Sequence, residues 1–244
     1  MVVFCFSLRA FRLLFPVNFG RCADRLLQFI AVLFSDLGYH PFFSDCSSRL
    51  FISMASSVPS VLVLGHSFIR RLRDDLRSHF DSRADDTFGL SNDAIVHLHG
   101  VGGLTVARLR RDLGMVSSLS PQVVILEIGT NDLTRLRPEV AGSEIEELVR
   151  LLLDTFSVRV IGVCEVLPRV RAPFFNGAAS ILNQYLCGVL EPLPNVFCWR
   201  HRGFDNPSVH PYLPDGVHVN SFGQYCLYRS YRGAILKALR MLSS

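Results

Sequence analysis

From Ser60 onward, short β-rich runs alternate with longer stretches of helical periodicity, and this alternation limits the fold more than any other feature of the chain. Runs of this kind build a parallel sheet whose strands are joined by crossover helices. Strands are expected at 61–64, 94–98, 123–128, 158–163 and 196–199. The third, VVILEI, shows no polar alternation, the pattern of a strand covered on both faces. Helical spacing is expected over 68–80, from about Leu104, and over 139–156, 174–190 and 221–242. The fold class implied is α/β: a three-layer α/β/α sandwich around a mostly parallel five-stranded sheet.

The 244 residues suffice for one such domain and an appendage. With 49% hydrophobic and 19% charged residues, the chain can pack a core. Its net charge of +4 rests almost wholly on arginine, Lys237 being the sole lysine, and acids are interspersed. Arg70, Arg71 and Arg73 run straight into Asp74 and Asp75, the pattern of a solvated helix face. No nucleic-acid partner is expected. Seven scattered cysteines without CxxC spacing imply neither a metal nor a redox centre, and they fit a reducing, cytoplasmic compartment.

Residues 1–55 differ in character, being rich in Phe, Leu and Arg. Their apolar runs are broken by Arg9, Arg12, Arg21 and Arg25, short of the roughly 18 apolar residues of a membrane span or of a clean signal core. They are expected to be an extension, poorly ordered or in short helices. A weak membrane-surface association or a mitochondrial-type presequence stays open. The domain itself is expected over 56–244, and translation from Met54 would preserve it.

In open parallel sheets ligands bind beyond the carboxyl ends of the strands, so the residues after each strand come first. Ser67 follows the first strand in Gly65-His66-Ser67, where its N–H would face a developing oxyanion from a helix N-terminus; it could equally cap that helix. Gly100-Val101-Gly102-Gly103 follows the second strand, offering backbone amides to a ligand or simply a tight turn. Asn131, in Gly129-Thr130-Asn131-Asp132, offers a neutral side-chain donor or forms an Asx turn. Asp215-Gly216-Val217-His218 precedes the last helix, and a carboxylate three residues before an imidazole can fix its tautomer. His201 and His210 lack such a partner in sequence and read as plain loop histidines.

These four blocks, in this order and on these elements, resemble the SGNH hydrolases, the GDSL-like lipases and esterases. LGHS carries Ser67, VGGLT carries Gly103, IGTND carries Asn131 and DGVH carries Asp215 and His218. The LGHSFIRRL opening and the DGVHVNSFGQYCLYRSYRGAI ending also resemble SGNH domains of animal retroelement-derived proteins. The resemblance implies a flavodoxin-like sheet and a serine esterase acting on a small acyl ester. In it, Ser67 is the nucleophile, His218 the base and Asp215 its orienter, with an oxyanion hole from Ser67, Gly103 and Asn131. No metal or organic cofactor is implied. One position departs from the family pattern: His66 stands where aspartate usually precedes the serine, so a changed hydrogen-bond network is expected there. A catalytically silent binding or assembly module on the same fold is the alternative.

Overall fold

The computed structural model of the chain describes residues 58–78, 84–204 and 210–244. The expectations for residues 1–55 lie outside these described residues. Five strands appear: β1 (Ser60–Gly65), β2 (Ile95–Gly100), β3 (Val123–Glu127), β4 (Val160–Cys164) and β5 (Val196–Trp199). All pair in parallel, in the order β2-β1-β3-β4-β5. The α/β expectation and its five-stranded sheet are thus realised, with every pairing parallel. Strand limits move by a residue or two, because apolar runs mark burial and not the ends of the backbone ladder.

The helices are α1 (Ser67–Arg77), α2 (Val106–Arg111), α3 (Gly114–Leu119), α4 (Pro138–Thr155), α5 (Pro173–Leu190) and α6 (Ser221–Ser243). The single helix expected from Leu104 is instead two short ones. Asp112 closes α2, and its carboxylate accepts the Gly114 N–H at 3.3 Å, turning the chain into α3. None of the described helices is long and apolar enough to cross a membrane.

Alternate residues of the central strands point to opposite faces, as strand geometry requires. Val61, Val63 and Ile125 pack against α1 and α6, while Leu62, Leu64, Val124 and Leu126 pack against α2, α4 and α5. The first crossover therefore covers one face and the next covers the other. That reversal puts a switch point between β1 and β3, and their carboxyl ends diverge there into a crevice.

Candidate active site

β1 runs directly into α1 through one residue. His66 is the N-cap, in extended backbone, and its Nδ1 accepts the Phe68 N–H at 3.4 Å. The cap that Ser67 could have supplied is therefore filled by His66. Ser67 is the first helical residue, partly exposed, with its N–H among those a helix start leaves unpaired. Gly65 is required just before this turn, since a Cβ there would overlap the Glu127 carbonyl and lie 2.7 Å from Glu127 Cβ.

Gly103 adopts φ +66°, a left-handed conformation that glycine enters without strain. Two long-range bonds staple its loop to the one after β3. The Asn131 side-chain amide donates to the Leu104 carbonyl at 2.9 Å, and the Asp132 carboxylate accepts the Val106 N–H at 3.0 Å. The Leu133 N–H goes to the Gly129 carbonyl at 3.0 Å, so Asn131 forms no Asx turn. Its amide has two donor hydrogens, so one remains for a ligand.

In the loop before α6, the Asp215 carboxylate accepts the Val217 and His218 N–H groups, both at 2.9 Å, and meets His218 Nδ1 at 2.7 Å. The bond from His218, followed by those backbone donors, holds the Asp215 carboxyl well below the usual carboxylate range. Asp215 remains an anion, which fixes the proton on Nδ1 and leaves Nε2 as an acceptor. Bonds from the Leu213 N–H to the His218 carbonyl (2.7 Å) and from the Val170 N–H to the Gly216 carbonyl (2.8 Å) fasten the loop.

Ser67, Gly103, Asn131 and His218 line one cleft of about 330 Å³, with Asp215 behind His218. Ser67 and His218 share this cleft without a direct hydrogen bond.

Beneath the serine turn lies a buried polar network that sequence reading missed. Glu127, at the end of β3, is almost wholly buried. Its Oε2 is met by His201 Nε2 at 2.8 Å and by the Tyr231 hydroxyl at 2.9 Å, while Oε1 faces His66 Nε2 at 3.4 Å. His201 Nδ1 continues to the Ser230 hydroxyl, which also accepts the Trp199 indole N–H. His201 is consequently no plain loop residue but a core histidine, 2% exposed. Burial pushes the Glu127 carboxyl up, yet the charge and hydrogen bond of His201, aided by His66, outweigh it and hold the carboxyl below its ordinary range. Burial, then the Glu127 charge, drive the Cys164 thiol and the Tyr231 phenol upward, keeping both protonated. Glu127, Cys164 and His201 offer metal-ligand atoms within 4.8 Å of one another, but here the glutamate and histidine bond to each other. The only sequence signal for this network was a carboxylate inside an otherwise apolar strand.

Arg169 was also missed. It lines the cleft, donates through Nη2 to the Thr130 carbonyl (3.1 Å) and hydroxyl (3.2 Å), and lies 3.7 Å from the centre of the Phe175 ring.

Residues 63–224 match the model of the GDSL-like lipase/acylhydrolase family. The chain is 27% identical over 161 residues to the platelet-activating factor acetylhydrolase IB subunit alpha2 of Gallus gallus, covering 65% of this chain and 62% of that protein. The chain thus spans less than two thirds of that relative's length. Among solved structures, a carbohydrate esterase family 3 protein from Talaromyces cellulolyticus superposes with a TM-score of 0.56 at 16% identity, over 75% of this chain and 98% of its own. An acetylxylan esterase from Geobacillus stearothermophilus gives 0.55 at 15%, over 75% and 94%. These two likenesses are of fold. With the family match spanning the serine turn and the Asp215–His218 loop, the chain belongs to the GDSL-like lipase/acylhydrolase family.

Proposed function

We propose that the protein is a serine esterase that removes a small, acetyl-like acyl group, with Ser67, His218 and Asp215 as its triad. The Ser67 hydroxyl oxygen attacks the ester carbonyl carbon while His218 Nε2 takes its proton. The tetrahedral oxyanion is held by the N–H groups of Ser67 and Gly103 and by the Asn131 amide. His218 then returns the proton to the leaving alcohol, and water hydrolyses the acyl-serine by the same route reversed. Asp215 orients the imidazole and stabilises the imidazolium. This acyl transfer to water draws on no metal or organic cofactor.

The observation that carries this reading is the convergence of Ser67, Gly103, Asn131 and His218 on one cleft, with His218 bonded to an anionic Asp215. The modest cleft volume of about 330 Å³ favours a short acyl group. The hydrolase unit would be residues 56–244 with 1–55 as an appendage. The free cysteines among the described residues, Cys164, Cys187, Cys198 and Cys226, fit a reducing compartment such as the cytoplasm.

The test is p-nitrophenyl acetate turnover by the full chain. Ser67→Ala and His218→Ala are expected to abolish it, and Asn131→Ala to lower kcat about 100-fold with little change in KM. Equal turnover by the parent and Ser67→Ala would falsify the assignment. A folded parent that resists labelling by a fluorophosphonate probe would point instead to the silent binding module.

A further inference from the structure

We propose that the cleft takes an ester whose alcohol portion carries an anionic group, phosphate-like or carboxylate, gripped by Arg169 with Arg70 and Arg71 in support. The ester half of this statement rests on the serine esterase reading; the anion half rests on the arginines. Arg70, Arg71 and Arg169 line the cleft, and no carboxylate lines it with them. Elsewhere among the described residues some arginines pair with acids, Arg73 with Asp74 at 3.0 Å, Arg110 with Glu147 at 2.6 Å and Arg150 with Glu146 at 2.8 Å, while Arg111 and Arg232 donate to backbone carbonyls.

Arg169 is held differently. Its guanidinium is fixed by neutral acceptors on Thr130 and by the Phe175 ring, and its Nε is buried without a partner. Burial also lowers its pKa. A guanidinium pinned on one side, with donors left over, suits bidentate capture of an oxyanion. Arg70 lies across the cleft's glycine loop, its Cζ 3.8 Å from where a Gly102 Cβ would stand. The Nε of Arg71 is likewise buried and unpartnered, although Arg71 shares its field with Asp75 one turn on.

The placement also assigns the side of the substrate. The residue after Arg169, Val170, donates its N–H to the Gly216 carbonyl at 2.8 Å, joining this segment to the Asp215–His218 loop. His218 is the group that reprotonates the leaving alcohol, so an anion at Arg169 belongs to the alcohol portion.

The experiment compares the full chain and Arg169→Gln on acetoxyethyl phosphate and on neutral acetoxyethanol, with titration calorimetry of hydroxyethyl phosphate on both proteins. The parent is expected to favour the phosphate in kcat/KM, and Arg169→Gln to cut that preference about tenfold while weakening the binding of hydroxyethyl phosphate similarly. Because the readout is a ratio, a general loss of activity cancels. Arg70→Gln, at an exposed position, is expected to give a smaller fall in the same ratio. An unchanged ratio in Arg169→Gln, a parent that prefers the neutral ester, or no binding of hydroxyethyl phosphate overturns the anion site. Binding that depends on Arg169, in a parent that hydrolyses neither ester, sustains the anion site and removes the esterase reading alone.

Discussion

At the scale of single residues, Glu127 carries the largest electrostatic stake. It is a buried carboxylate bonded by His201 and Tyr231, and removing a charge from such a set leaves its partners uncompensated. Glu127→Gln is expected to cost about 3 kcal/mol at neutral pH, measured by denaturant unfolding. Folding lowers the Glu127 pKa, so its contribution is full above the unfolded value of about 4.3 and is lost as pH falls toward the folded value. The gap in stability between parent and Glu127→Gln should accordingly narrow as pH drops through that window; a constant gap would mean that the carboxylate charge is not what stabilises. Asp215→Asn tests a different quantity. An amide cannot hold the same His218 tautomer, so kcat should fall about 1,000-fold or more while the fold stays intact, as unfolding curves would show. Asp215 and His218 could be read from the sequence because they lie three residues apart in one loop. Glu127 meets His201 across 74 positions and Tyr231 across 104, and no local pattern encodes pairings of that length.

At the scale of elements, the informative feature is how the loops after β2 and β3 are joined. Asp132, buried and accepting from the first amide of α2, transmits the position of β3 to the Gly103 loop. Asp132→Ala leaves the Val106 N–H without its partner, for an expected loss of about 1–3 kcal/mol, and lets Gly103 drift from Asn131. Steady-state kinetics should show kcat falling more than KM rises, since oxyanion donors matter most in the transition state. Periodicity located the long helices well: 139–156 became Pro138–Thr155 and 174–190 became Pro173–Leu190. Their buried stripes repeat at helical spacing over many turns. The stretch after Leu104 offered only short runs around Asp112 and Gly114, too brief for a period to reveal two helices. The serine turn shows the same division. Its place after β1 was legible, but which side chain caps α1 depends on His66 being held from behind by Glu127, a contact made in the third dimension.

At the scale of the whole molecule, the central strands serve two cores at once. Ile125 packs with α1 and α6, and Leu126 with α4 and α5. Ile125→Ala and Leu126→Ala are each expected to cost about 2–5 kcal/mol of stability, with specific activity per folded molecule kept in both. Unequal losses would show which face packs more tightly. The strand order has a further consequence, for the ribosome. β1, the strand that delivers the serine turn, is emitted before the other four yet lies inside the sheet, flanked by β2 and by the still later β3. Until Val123–Glu127 has emerged, the nascent β1 has one bare edge and no ladder to close it, so productive folding must wait for more than a third of the domain to be translated.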